Sequence, residues 1–370
     1  MLKKELMEAI IINNVSEFEG LKNEWENLFI KSRCQNIFLS YDWHFTWWKY
    51  FCGKNDLVIV RVVENGETIA IAPLYVGKKF GFNCLSFIGS AVSDFEDFLF
   101  LEGSRVNQIV MSIFSVLESY KRWDILRVKK IKKSSNLYSC LKEFVQNNDF
   151  SSCLTKHKEG APYLENPGNW ESFAKQLKTK FLSDSKRRRR KLSDMGEVSF
   201  SGNIEDAKEI KETMDKLREL HKTRRNSKGE KSFLEDAACF EFFCDFARKM
   251  HEKNVLHLSS LRLNEKVVAV NFGTTLDASY GYQIPVFDQE YKPYAVSRLL
   301  LMELVKECFD LGIKKFDFML GDESYKNDWN PIIEDLYFFT CAQKTKRGIV
   351  AKFLFSDFNM FIKRILKKAW

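Results

Sequence analysis

Apolar residues in the first fifty positions recur at helical spacing. Phe18, Leu21, Trp25, Leu28 and Phe29 predict an amphipathic helix over Val15–Ile30. Ser40 is placed to cap a second helix, Tyr41–Phe51, crowded with Trp43, Phe45, Trp47 and Trp48. The period then changes. Leu57–Val63 and Thr68–Ala72 are apolar runs joined by Glu64-Asn65-Gly66-Glu67, and Asn-Gly between two such runs predicts a tight hairpin. Pro73 has no amide N–H and is expected to limit the second strand's ladder. Residues 106–120 read as a helix and Trp123–Val128 as a buried strand.

The same order returns later. Leu256–Leu263 and Val267–Thr275 read as strands around the turn Asn264-Glu265-Lys266, and Tyr280–Val286 as a further strand. Arg298–Leu311 reads as a helix with Gly312 suited to its C-terminal end. Lys315–Leu320 then reads as a strand. Asn169 is placed to cap a helix from Trp170. At an offset of roughly 200 residues, Arg61-Val62 overlays Arg262-Leu263, and Lys121–Asp124 overlays Lys314–Asp317. The reading is two copies of one α/β unit: hairpin, further strand, helix, strand.

Composition narrows the class. The 370 residues allow about two domains. A hydrophobic share of 45% and only 6 Pro exclude a disordered or Pro-rich chain, and 33 Phe predict aromatic cores. The net charge of +8 permits an anionic ligand and demands none. The nine cysteines form no C-x-x-C pair, so reduced thiols are expected, with no disulfide framework and no metal site. Neither a signal peptide nor a membrane span is expected, and the expected location is cytoplasmic.

Two stretches carry candidate chemistry. Lys186-Arg187-Arg188-Arg189-Arg190-Lys191 is either a solvated helical face or an anion site, since the guanidinium fork binds phosphate oxygens in pairs. Phe316–Trp329 sets Asp317 on a strand running into Gly321 and a polar loop holding Asp322, Glu323, Tyr325, Lys326 and Trp329. A strand carboxylate is costly to bury alone, so Asp317 is either an ion-pair partner or a tuned base. No H-E-x-x-H, G-x-S-x-G, P-loop or G-x-G-x-x-G occurs, which removes the local warrants for metal hydrolysis, serine hydrolysis and dinucleotide binding.

Taken together and in order, these pieces resemble the cellulose-biosynthesis-associated (CelD/BcsL-type) acetyltransferase family of the GNAT superfamily, which is similar to the Fem aminoacyltransferases. The resemblance rests on Phe38–Trp43, Ile69–Leu74, Ser93–Asp97 after Ile88-Gly89, the Arg187–Leu192 run before Gly196, Arg224-Arg225 with Lys228-Gly229, and most closely Phe316 through Trp329. The family's Ser-Pro-Gly turn before a Leu-rich helix is replaced by Ala295-Val296-Ser297-Arg298-Leu299.

The resemblance implies an α/β (α+β) fold of two tandem GNAT-like units, each a mixed, largely antiparallel sheet flanked by helices. The expected domains are 1–160, 161–347 with the active site, and a basic amphipathic helix over 348–370. It implies an acyltransferase taking acetyl-CoA or another acyl-CoA as co-substrate. The acceptor would be a small molecule or an amine or hydroxyl of a sugar or envelope-polysaccharide precursor. Two alternatives stand beside it: a Fem-type transfer from charged tRNA, in which case the basic stretch contacts RNA, and a non-catalytic binding protein on the same scaffold. The expected catalytic residues are Asp317 or Glu323 as base and Tyr325 as proton donor. Val296, Ser297 and Arg298 are expected at the coenzyme A phosphates. Arg188, Arg190, Arg225, Lys228, Asp322, Lys326 and Trp329 are expected around the substrate. Residues 351–370 alternate Phe353, Phe358, Phe361, Ile365 and Leu366 with Lys363, Arg364, Lys367 and Lys368. They read either as a docking helix or as a peripheral contact with the inner membrane face.

Overall fold

The computed structural model describes residues 7–147 and 152–355. The chain divides into two compact units, Met1–Glu159 with Glu334–Trp370, and Gly160–Ile333.

The first unit contains β1 (Met7–Ile12), α1 (Val15–Gly20), α2 (Lys22–Lys31), α3 (Tyr41–Phe51), β2 (Asp56–Glu64), β3 (Glu67–Lys79), β4 (Phe82–Phe87), β5 (Leu99–Phe100), α4 (Val106–Ser119), β6 (Ile125–Lys132), α5 (Asn136–Asn147) and β7 (Ser152–Lys156). The second contains β8 (Ala161–Glu165), α6 (Trp170–Ala174), α7 (Thr179–Ser193), β9 (Val198–Ser201), α8 (Ala207–Asn226), α9 (Ala237–Glu252), β10 (Leu256–Leu263), β11 (Lys266–Leu276), β12 (Ser279–Phe287), α10 (Val296–Asp310), β13 (Lys315–Asp317) and β14 (Ile332–Glu334). The chain then adds β15 (Leu336–Ala342) and α11 (Lys346–Phe355) to the first unit.

Local chemistry explains the frame. Ser40 Oγ accepts the Trp43 N–H and starts α3, and Asn169 Oδ1 accepts the Ser172 N–H and starts α6. Asn65 and Gly66 both take positive φ, the conformation a two-residue hairpin turn requires. Gly312, at φ 79°, follows α10 and turns the chain toward β13.

The repeat is present in three dimensions. The sheets run β1-β2-β3-β4-β6-β15-β7 and β9-β10-β11-β12-β13-β8-β14. In each, an antiparallel run of four strands is followed by a helix, α4 or α10, and by a strand parallel to the fourth: β6 beside β4, β13 beside β12. Both sheets are therefore mixed and mostly antiparallel, with helices against them. The cores hold the expected rings; Tyr280 stacks on Phe316 at 4.8 Å, and Phe114 on Phe144 at 4.6 Å.

Four expectations change. The helix over 15–30 is two, breaking just after Gly20, where backbone freedom is greatest. Pro73 does not stop β3, which runs to Lys79. A strand residue's N–H and C=O point the same way, and the Pro73 carbonyl accepts the Ile88 N–H at 2.9 Å. The missing donor thus falls where β3's neighbour changes from β5, paired at Ala70 and Ile71, to β4, paired from Leu74. The strand expected over 315–320 ends at Asp317. Finally, the unit expected over 161–347 loses its last strand: β15 lies between β6 and β7 in the first sheet, while β8 sits beside β13 in the second. No periodicity encodes that exchange, because the apolar pattern of β15 suits either sheet. Of the C-terminal helix expected over 348–370, residues 356–370 lie outside the described residues. Among the described residues, no helix is long and apolar enough to cross a membrane, and no three His, Cys, Asp or Glu side chains are grouped to hold a metal.

Candidate active site

The site grows from a parting of two strands. β12 and β13 pair in parallel at Ser279–Lys315, Tyr280–Phe316 and Gly281–Asp317. β12 continues to Phe287; β13 stops. Asp317 ends it. Its buried Oδ1 accepts the Met319 N–H at 2.9 Å, and Met319 takes φ 61°. Gly281 makes room for the crossing, since a Cβ there would stand 2.2 Å from Met319 Cε. Asp317 Oδ2 lies 3.6 Å from Lys315 Nζ, which sits over the Tyr163 ring. The carboxylate expected as a base is therefore committed to closing the strand end.

The loop beyond is held by Lys326. Its buried ammonium donates to the carbonyls of Leu320 (3.2 Å) and Gly321 (3.3 Å) and to Glu323 Oε2 (2.8 Å). Gly321, at φ 125°, has no Cβ to collide with that carboxylate. Lys326 thus fastens the loop from inside. Trp329 is buried against Phe181 and Phe318 and belongs to the core. Both were expected at substrate. Asp322 and Glu323 are exposed.

Around the opening stand groups from four elements. Tyr282, one residue past the last strand pair, is buried. Its hydroxyl lies beside that of Ser297, short of a formed hydrogen bond. Burial, then Tyr282 and Glu323 nearby, push the Tyr325 phenol far above its ordinary range, with Arg224 opposing. Burial raises Tyr282 in the same way. Both phenols are protonated at any physiological pH. Arg224, at the end of α8, donates to the Pro285 carbonyl at 3.2 Å and lies over Phe287. Tyr282 was absent from the expected site, and Arg224 entered only through the resemblance, beside Arg225. The signal for Tyr282 was its place two residues after Tyr280 in an apolar strand, which puts both rings on one face.

The start of α10 faces the same strand end. Ala295 adopts the left-handed conformation, φ 53° and ψ 43°, where a glycine is the usual occupant. The Arg298 and Leu299 amides bond to the Ala295 carbonyl, so those of Val296 and Ser297 precede the first helical bond; no side chain caps them. A fifteen-residue helix concentrates partial positive charge there.

The basic run surrounds this turn. Arg187, Arg188 and Arg298 all reach Asp184, and the first two hold its carboxyl far below the usual range. Arg188 also donates to the Pro293 carbonyl at 2.5 Å, tying α7 to the turn. Arg189 pairs with Glu303. Arg190 is exposed on α7. Arg225 pairs with Glu230 at 2.5 Å, and Lys228 is exposed beside it. Three guanidiniums sharing one carboxylate leave a surplus of positive charge near the α10 amides.

A strand pair thus opens beside an uncapped, positively charged helix start. Residues 179–327 match the acetyltransferase (GNAT) domain family. The match begins at α7 and ends two residues after Tyr325. Among solved structures, FemX is 11% identical with a TM-score of 0.58, over 85% of this chain and 95% of that one. The C-terminal domain of a putative lysylphosphatidylglycerol synthetase from Agrobacterium fabrum is 10% identical, TM-score 0.54, over 90% and 94%. A tandem GNAT protein from the clavulanic acid biosynthesis pathway is 9% identical, TM-score 0.50, over 92% and 100%. At these identities the likeness is one of fold: tandem GNAT units. No curated protein sequence matches the chain.

Proposed function

We propose that the second unit is an acyltransferase that moves an acyl group from acyl-CoA to an amine or hydroxyl at the opening between β12 and β13. The acceptor class we propose is a sugar or an envelope-polysaccharide precursor. GNAT domains use an acyl-CoA co-substrate. The carrying observation is the parting of β12 from β13 beside the free amides of Val296 and Ser297. Those amides, with the surplus charge of Arg187, Arg188 and Arg298, suit the coenzyme A phosphates. The unpaired edge of β12 offers backbone groups to an extended donor, and Arg224 steadies that edge at Pro285.

The chemistry follows from the phenols and the loop carboxylate. Glu323 receives the proton as the acceptor nitrogen or oxygen bonds to the acyl carbon. The carbon–sulfur bond breaks with its electron pair on sulfur. Tyr325, kept protonated by burial, donates a hydrogen bond to the thiolate, and the proton held by Glu323 passes to sulfur to give the free thiol. Asp317 is buried with one oxygen on Met319 and the other facing Lys315, whereas Glu323 is exposed and meets Lys326 through Oε2, so the base assignment falls on Glu323 through Oε1. Holding both reactants in one cleft supplies much of the acceleration.

Calorimetry with acetyl-CoA tests this reading. Wild-type protein is expected to bind, and Ser297→Glu, which suits the helix start but opposes phosphate, is expected to weaken binding at least ~10-fold. Wild-type protein that binds no acyl-CoA and transfers no acyl group ends the proposal. A second reading, transfer from charged tRNA as in the Fem type, is favoured by the Cβ that Ala295 places where glycine would admit phosphate closely. Turnover with charged tRNA and none with acyl-CoA would select it.

A further inference from the structure

The first unit carries an exposed apolar surface that the acyltransferase reading leaves unused. α11 is apolar on two sides. Gly348, Ala351 and Phe355 are buried on one, packed with Cys84 and Ile125. Ile349, Val350 and Phe353 lie on the opposite side, 61%, 51% and 61% exposed. A helix that only docks on a sheet puts polar residues on its outer face.

The tip of the β3–β4 hairpin is fastened to this helix. The Phe80 and Phe82 rings lie 5.9 and 6.2 Å from that of Phe355, and Arg347 donates to the Gly81 carbonyl at 2.9 Å. Phe80 is 73% exposed. Its backbone is costly: Phe80 and Gly81 have φ of 51° and 80°, a turn in which the first position favours asparagine and resists a bulky side chain. The hairpin at Asn65-Gly66 obeys that preference, and Asn264 sits at φ 53° in the β10–β11 turn. A largely exposed aromatic ring, touching only the edge of the helix at Phe355, thus occupies a position the turn itself disfavours.

Basic residues rim the surface. Lys78 and Lys79 precede Phe80 and are exposed, as is Lys346 at the head of α11; its neighbours Lys344 and Arg347 are exposed too and pair with Glu118 and Asp124. The sequence beyond the described residues continues the pattern, with Phe361, Ile365 and Leu366 among Lys363, Arg364, Lys367 and Lys368, and Asp357 as the one acid in 356–370. We propose that the Phe80 tip and the outer face of α11 form a docking surface for an anionic lipid bilayer. The rings and aliphatic side chains enter the interface, and Lys78, Lys79 and Lys346 meet the headgroups. The proposal is independent of the acyl-transfer reading.

Co-sedimentation of the full chain with vesicles tests it. Binding is expected to vesicles of equal phosphatidylglycerol and phosphatidylcholine, to fall with added salt, and to be absent with phosphatidylcholine alone. Phe80→Asn, which suits the turn and keeps the fold, combined with Ile349→Gln is expected to lower partitioning about 10-fold. A thermal melt confirms that the variant is folded. No sedimentation with the anionic vesicles, or equal partitioning of the folded variant, overturns the proposal. So does dimerisation of the wild type that the same substitutions abolish, which assigns the face to a second copy. Vesicle binding that appears only after 356–370 are removed assigns the face to that segment and overturns it equally.

Discussion

In both units a pair of parallel strands runs together for three residue pairs and then parts, β4 from β6 and β12 from β13. The first parting is filled by its own chain. The Glu96 carboxylate is fully buried there; it accepts the Lys129 N–H at 2.6 Å and the Ser90 hydroxyl at 2.7 Å. Lys130 donates to the Ser93 carbonyl, and Trp43 Nε1 donates to Ser93 Oγ at 2.8 Å. His44 Nδ1 meets the Ile88 carbonyl at 3.1 Å. The segment 88–97 thus takes the hydrogen bonds that a neighbouring strand or ligand would take. In the second parting the Tyr282 hydroxyl has no partner, and the amides at the start of α10 are uncapped. The same fold, present twice, has a hydrogen-bonded strut at one parting and an unpartnered hydroxyl beside an uncapped helix start at the other. The difference lies in whether the loop after the fourth strand folds inward with a carboxylate or passes directly into a helix.

The comparison breaks most sharply in acid. Burial pushes the His44 imidazole down to about 3 from its ordinary 6.5, so the folded state holds it neutral. As pH falls from 6.5 toward 3 the unfolded chain takes a proton the folded one refuses, and stability drops by about 4 kcal/mol over that window. Urea titrations of the first unit's tryptophan signal at stepped pH measure it. His44→Phe, which keeps a ring, is expected to flatten this part of the profile; an unchanged slope removes His44 as its cause. Asp97 works the other way. Burial raises it to about 6, so its contribution is complete below the ordinary carboxylate range and is lost as pH rises through 6.

At the open parting, Tyr325→Phe is expected to lower kcat ~10²–10³-fold with the melting temperature unchanged, because the phenol's burial already costs its hydroxyl solvent contact. Turnover equal to wild type would remove Tyr325 from the chemistry. At the closed parting, Glu96→Ala is expected to cost about 2–3 kcal/mol by stranding the Lys129 N–H and the Ser90 hydroxyl, while activity per folded molecule stays constant. A loss of kcat in folded Glu96→Ala protein would mean that the first parting also takes part in turnover. Smallest in stability is Asp184→Asn, expected at under about 1 kcal/mol because the ion pairs are partly exposed. It frees Arg187, Arg188 and Arg298 from a shared anion, so acyl-CoA affinity should rise several-fold; unchanged affinity would place those guanidiniums away from the ligand.

Much of this frame could be read along the chain. The Ser40 and Asn169 caps, the Asn65-Gly66 hairpin and the helix ending at Gly312 are set by neighbours in sequence, and each stands where the residues predicted. So does the repeat of hairpin, strand, helix and strand, since both copies carry the same periods. The resemblance points to the GNAT fold, and the polar run from Gly321 to Tyr325 marks the loop at the strand end. The roles within it were less legible. Asp317, Lys326 and Trp329 are residue types that suit an active site equally well. Only coordinates show a carboxylate spent on Met319, an ammonium spent on two carbonyls and an indole packed against Phe181.

The sequence by itself determined the elements, their order and their duplication, because capping, turn conformation and apolar period act over a few residues. The tertiary structure decided that β8 and β15 exchange sheets, that Tyr282 comes beside Ser297 and Arg224 near Tyr325, and that one parting is bridged by hydrogen bonds while the other leaves the Tyr282 hydroxyl unpartnered. Those outcomes depend on which buried polar groups find partners. For residues tens to hundreds of positions apart, that is settled only when the chain has packed.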